Sequence, residues 1–168
     1  MFTKKLFSLA AASALLCFAT LAQAQTPPPP PQYGSNINLE QARKAVAASI
    51  AEVRKQNMPP MAVAVVDTAG FLVAYERMDN TQFGSVAVSQ DKASSAALFR
   101  RPTKVFQDVL AGGGAGLRIL TLRGANAVEG GLPIVVDGKI IGAIGLSGGS
   151  AEQDGVVAKV GADAAAAR

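Results

Sequence analysis

Apolar and polar positions change rhythm several times along this chain. Residues 6 to 22 are almost wholly apolar and uncharged, behind Lys4 and Lys5. Later, Leu39, Ala42, Val46, Ile50 and Val53 recur at helical spacing, with Glu40, Arg43, Lys44 and Lys55 elsewhere on the wheel. Asn38 with Gln41 three residues on is a variant of the capping box, and Pro59-Pro60 forces a stop, so the pattern predicts a helix ending near Gln56-Asn57. Met61 to Val66 and Phe71 to Met78 read as strands. Asp67-Thr68-Ala69-Gly70 between them makes a hairpin. A polar loop, Asp79 to Gly84, precedes an alanine- and serine-rich helix over residues 85 to 100, broken by Pro102. Thr103 to Leu110 adds further helical turns, and Ala111 to Gly116 reads as a flexible loop. Leu132 to Val136 and Lys139 to Leu146 flank Asp137-Gly138, a strong hairpin signal. Ser147-Gly148-Gly149-Ser150 then leads into a closing helix capped by Ser150 and Gln153, with Val157, Val160 and Ala164 on one face.

Tight hairpins pair strands antiparallel, so the order implies an α+β fold rather than a doubly wound parallel sheet. The last two strands are apolar on both faces. Strict alternation sends Ile141 and Ala143 one way and Ile140 and Ile144 the other. Both faces then need cover, from helices on each side or from another subunit, and a homo-oligomer is expected.

The apolar run at the start, followed by Ala22-Gln23-Ala24, has the form of a secretory signal peptide over residues 1 to 24. Its flanks argue against a retained membrane span, and the expected location is periplasmic or secreted. Cys17, the sole cysteine, leaves with that peptide, so the mature chain has no disulfide. Lys4 and Lys5 leave too, which takes the net charge from +4 to near +2. Nothing clusters basic and aromatic residues as a nucleic-acid surface requires. Residues 25 to 35, with Pro27 to Pro31, read as an extended proline-rich linker, and residues 36 to 168 as one domain.

The chain contains no histidine. That removes imidazole acid–base catalysis and histidine-based nucleophile systems. Without cysteine in the mature chain, zinc and iron–sulfur sites are excluded as well. Three features remain as candidate sites. Arg77-Met78-Asp79 ends a strand, where the guanidinium could clamp a carboxylate and Asp79 could orient it. Lys92, Arg100 and Arg101 lie on and after the alanine-rich helix and could meet anionic groups. In Ser147-Gly148-Gly149-Ser150 the backbone amides can converge at a helix N-terminus, which suits a carboxylate or phosphate. Each has a plainer structural reading: solvated strand end, solvated helix face, glycine turn with a cap.

In order, Val66-Asp67-Thr68-Ala69-Gly70, Arg77-Met78-Asp79 and Gln90-Asp91-Lys92-Ala93 resemble the first half of the GlcG/HbpS family. Glu129-Gly130-Gly131-Leu132-Pro133-Ile134, Ile141 to Gly149, and Gln153-Asp154 resemble the second half. The resemblance spans nearly all of residues 36 to 168. It implies an antiparallel sheet of about five strands flanked by helices on both sides, three-layered in the manner of profilin and PAS domains, in a symmetric homo-oligomer. Its members include extracellular haem-binding proteins, a domain attached to a cobalamin adenosyltransferase, and a glycolate-operon protein. Haem binding is therefore the leading implied function, serving iron acquisition, storage or sensing, with a corrinoid as the lesser alternative. Relatives can hold the iron through histidine, which is absent here. Met78 becomes the preferred axial candidate, ahead of Met58, Met61, Tyr33, Tyr75, a lysine or no protein ligand at all, with Arg77, Arg100 and Arg101 toward the propionates. Two other readings stand beside it: a binding protein or enzyme for a small organic acid, using Arg77, Lys92 and the Ser147–Ser150 loop, and a structural role without ligand. A catalytic role would fall to Asp79, Glu129 or Lys92.

Overall fold

A computed structural model describes residues 29–167; the expected signal peptide, residues 1 to 24, lies outside them. The elements are β1 (Gln32–Tyr33), α1 (Leu39–Lys55), β2 (Ala62–Val66), β3 (Leu72–Arg77), α2 (Gly84–Phe99), α3 (Thr103–Ala111), β4 (Gly131–Val136), β5 (Lys139–Ser147) and α4 (Ala151–Ala166). The two capping boxes form as their spacing predicts. The Asn38 and Ser150 side chains accept from the Gln41 and Gln153 amides, and both glutamine side chains return the bond. Asp137 and Gly138 both take positive φ, +49° and +74°, as the two-residue β4–β5 hairpin requires. No helix among the described residues is long and apolar enough to cross a membrane.

The sheet has five strands and is mostly antiparallel. β5 is its centre, with β4 along one edge and β2 along the other; β3 lies outside β2. β1 pairs parallel with Lys139 and Ile140 of β5, on the β2 side. This strand falls inside the segment expected to be linker. Gln32 and Tyr33 instead dock on the domain, where the Tyr33 hydroxyl donates to the Ala97 carbonyl (2.9 Å) and the Gly34 amide donates to that of Ile140.

Helices cover both faces from within one chain. α1 and α4 bury Val63, Val65, Ile144 and Leu146 on one side, and α2 packs on Ala64, Val66 and Ala143 on the other. The three-layer α+β expectation holds, and covering the sheet does not itself require a second subunit. Strict alternation fails within β5. The β4–β5 register skips Ile141 between the pairs Ile134↔Gly142 and Val135↔Ile140. That bulge turns Ile141 to the α1–α4 side with Ile144, opposite Ala143. A second departure is the stretch read as loop, much of which winds into a 3-10 helix, Gly114–Thr121.

α2 lies unusually close to the sheet because of two glycines. Gly131 and Gly145 face each other across β4 and β5. A Cβ on Gly145 would overlap the Ser89 carbonyl and Ala93 amide, and one on Gly131 would stand 2.8 Å from the Lys92 carbonyl carbon. The backbone of α2 rests directly on this pair, which seats Lys92 deep in the fold.

Candidate functional site

Lys92 and Asp154 form a buried ion pair beneath the β4 end of the sheet. Lys92 Nζ donates to Asp154 Oδ2 at 2.7 Å, and the two side chains are 1% and 3% exposed. The Gly149 amide donates to Asp154 Oδ1 at 3.0 Å. Burial pushes the Asp154 carboxyl above the usual carboxylate range, opposed by Lys92 and by the amides of Gly149 and Gly148. Gly130, at φ +124°, closes over the pair: a Cβ there would lie 2.8 Å from Lys92 Nζ and 2.7 Å from Asp154 Cβ.

This pair revises two expectations. Lys92 does not face an external anion, because Asp154 neutralises it. The glycine loop does collect a carboxylate on its amides, but that carboxylate belongs to Asp154. Ser147 is also turned inward, its hydroxyl bonded to that of Ser85 at 3.0 Å.

The remaining candidates separate to the two ends of α2. Arg77 projects on the α2 side near its start, with its guanidinium 5.9 Å from the Phe83 ring centre. Arg100 takes a left-handed conformation just past the end of α2 and sits over the Tyr33 ring, while Arg101 sits over Phe106. A helix of this length separates the two ends by about 24 Å. Arg77 therefore does not join Arg100 and Arg101 in one site. Arg77, Met78 and Asp79 line a small cavity of about 290 Å³ with Ile50, Arg54, Pro60 and Glu76. Met78 is half-buried and packs on the α1–α4 core, as does Met58; Met61 is wholly inside that core. The Tyr75 hydroxyl is buried without a hydrogen-bond partner among the described residues. Burial raises its pKa.

A larger cavity opens elsewhere. A groove of about 570 Å³ runs between α4, the free edge strand β4 and the start of α3. Leu132, Pro102, Gly131, Gly155, Val156 and Val160 make its apolar surface. The helical spacing sets Val160 on one face with Val157. Val160 turns to the groove beside Val156, while Val157, Ala158, Ala162 and Ala165 fill the core. Lys104 and Lys159 stand at the rim, bonded to Asp108 (2.7 Å) and Asp163 (2.6 Å). Glu129 also lines the groove. Its amide donates to Gln107 Oε1 (2.8 Å), and its carboxylate lies against Gly155, where a Cβ would come within 2.5 Å of Oε1. Only Glu129 among these lining residues was singled out from the sequence. The signal available for the rest was the helical spacing of Val156, Lys159, Val160 and Asp163, which reads equally well as an ordinary amphipathic face. No group of three or more histidine, cysteine, aspartate or glutamate side chains among the described residues could hold a bare metal ion.

Residues 37–163, which carry the sheet, both core helices and the groove, match the HbpS-like family, described as haem degrading protein HbpS-like. The chain belongs to the HbpS-like family. Protein GlcG of Escherichia coli K12 is 38% identical over 111 residues, 66% of this chain and 81% of that protein. The fold is similar to that of a double mutant of Streptomyces reticuli HbpS, with 26% identity, a TM-score of 0.70, and coverage of 92% of this chain and 97% of that one. It is also similar to the crystal structure of a PduOC:heme complex, 26% identical with a TM-score of 0.68, covering 77% of this chain and 94% of that one. Membership rests on the whole domain, since each HbpS-like motif read from the sequence is short.

Proposed function

We propose that this protein binds haem in the groove between β4, α4 and the start of α3. The observation that carries the reading is the groove itself. Its volume, about 570 Å³, falls within the usual range for ligand pockets, and its surface is mainly apolar, as a porphyrin face requires. The rim suits the propionates. Lys104 and Lys159 hold only exposed carboxylates, and such pairs contribute about 0–1 kcal/mol, so exchanging Asp108 and Asp163 for propionates costs little. Membership of the HbpS-like family and similarity to a protein solved with haem support the same ligand. Bound haem would bring an iron centre able to coordinate small ligands and change redox state; the chain contributes an apolar wall, two cations and two carboxylates.

Titration of the protein with haemin should give a saturable, red-shifted Soret band, and Leu132→Asp should weaken binding at least about tenfold by charging the apolar wall. Arg77→Ala should leave the titration unchanged. A titration indistinguishable from free haemin overturns the reading. A second reading rests on Arg54 and Arg77 sharing the 290 Å³ cavity, which suits a small organic acid. Thermal stabilisation by glycolate that is lost in Arg77→Ala would favour it.

We also propose that the protein acts outside the cytoplasm as a homo-oligomer, in haem acquisition, storage or sensing. The apolar run before Ala22-Gln23-Ala24 supports export. Large exposed apolar side chains, Phe83 at 85% and Phe71 at 72%, support contact between copies. Native mass spectrometry of protein recovered from the extracytoplasmic fraction should give a multiple of the mass of a chain beginning at Gln25. A chain beginning at Met1 overturns export, and a monomer overturns assembly.

A further inference from the structure

One charged group in the groove has no hydrogen-bonded partner, although Lys104 acts on it electrostatically. The charged groups lining the groove are the ammonium groups of Lys104 and Lys159 and the carboxylates of Glu129 and Asp163. Lys104 is bonded to Asp108, and Lys159 to Asp163. The Glu129 carboxylate makes no hydrogen bond or ion pair among the described residues, although the residue is half-buried. Its oxygens are not sealed from solvent, so they are open to a group that enters the groove.

The familiar iron ligands are elsewhere. Histidine is absent from the chain. Met61 is sealed in the core, Met58 and Met78 pack on the α1–α4 side, and the Tyr33 hydroxyl is bonded to Ala97. None of them lines the groove.

We propose that the Glu129 carboxylate is the protein's ligand to the iron of haem held in this groove, a step that rests on the haem reading above. Two features hold it in place. Its backbone is tied to α3 through Gln107. Its carboxylate lies on α4 at Gly155, where any side chain would displace it, since a Cβ would stand 2.5 Å from Oε1 and 3.0 Å from Cδ. Glycine at that position gives the carboxylate its seat inside the groove, whose rim carries Lys104 and Lys159. An anionic oxygen donor is hard, so it favours ferric over ferrous iron. The site is thus specified for oxidised haem, the form expected outside the cytoplasm.

The test compares haemin with metal-free protoporphyrin IX, which offers the same apolar faces and propionates but no iron. The full chain, Glu129→Gln, Glu129→His and Leu132→Asp are each titrated with both porphyrins. Glu129→Gln, an isostere, should weaken haemin binding about tenfold or more while leaving protoporphyrin within about twofold. Glu129→His should restore haemin binding and move the Soret band to a histidine-ligated form. Reduction with dithionite should weaken haem binding in the parent and not in Glu129→His. If Glu129→Gln affects both porphyrins equally, or neither, while Leu132→Asp weakens both, the ligand role is overturned and the groove stands. If Leu132→Asp affects neither porphyrin, the groove reading is overturned and the ligand role falls with it.

Discussion

Gly145→Ala should unfold the protein at markedly lower urea than the parent, although it adds only a single methyl group. The added methyl would enter the space held by the Ser89 carbonyl and Ala93 amide, and would stand 3.0 Å from the Ala93 Cα. All three belong to the backbone of α2, so no side-chain rotation relieves the overlap; the helix must lift from the sheet. Overpacking in an ordinary core costs about 1–3 kcal/mol. A rigid helix in the way sets the expectation at or above the upper end of that range, a large share of the ~5–15 kcal/mol that holds a domain together. Lifting α2 also draws Lys92 away from Asp154 and loosens the Gly131 contact, which compounds the loss. Gly84→Ala provides the comparison. It adds the same methyl at the first residue of α2, where nothing lies within 4 Å, so it should leave the unfolding midpoint unchanged or raise it slightly. Equal midpoints for the two variants would show that α2 does not sit on the glycine pair.

Lys92→Ala should be as damaging for a different reason. It leaves Asp154 buried with only backbone amides for company. Removing one partner of a buried ion pair typically costs about 3–5 kcal/mol, because the remaining charge stays desolvated. The loss should depend on pH. Burial already raises the Asp154 carboxyl, and Lys92 opposes that rise, so removing Lys92 moves the folded value higher still. A carboxyl whose pKa is higher folded than unfolded takes up protons on folding. Its penalty is absent below about pH 4, where both states are protonated, and grows as pH rises through the folded value. The stability gap between parent and Lys92→Ala should therefore widen from pH 4 to pH 8, as read by urea midpoints at each pH. A gap constant with pH would assign the loss to packing of the lysine stem. The double variant Lys92→Met with Asp154→Leu removes both charges and should recover most of the stability.

Much of the framework was legible in the sequence because its determinants are a few residues apart. Asn38 with Gln41 and Ser150 with Gln153 cap their helices through bonds spanning three residues. Asp137-Gly138 makes its hairpin through its own backbone preferences. The misread features share the opposite property. β1 forms because Gln32 and Tyr33 meet Lys139 and Ile140, and nothing near Pro31 announces that partner. Ile141 changes face because of a bulge in the pairing with β4, which an alternation rule applied to one strand cannot register. Lys92 looks the same in a helix whether it will meet solvent, a ligand or an aspartate.

The sequence by itself determined the α+β class, the helix limits, the two hairpins, the family pattern and the absence of histidine. These follow from local backbone preference, from hydrophobic period and from composition. Only the tertiary structure decided which charges are consumed and which remain. It joined Lys92 to Asp154 across 62 positions, placed Arg77 and Arg100 at opposite ends of α2, and opened an apolar groove against the free edge of β4 with Glu129 unpaired in it. The physical reason is that an ionic side chain acts through the partner it meets in space, and that partner is set by how helices seat on the sheet. Here two facing glycines, Gly131 and Gly145, set that seating.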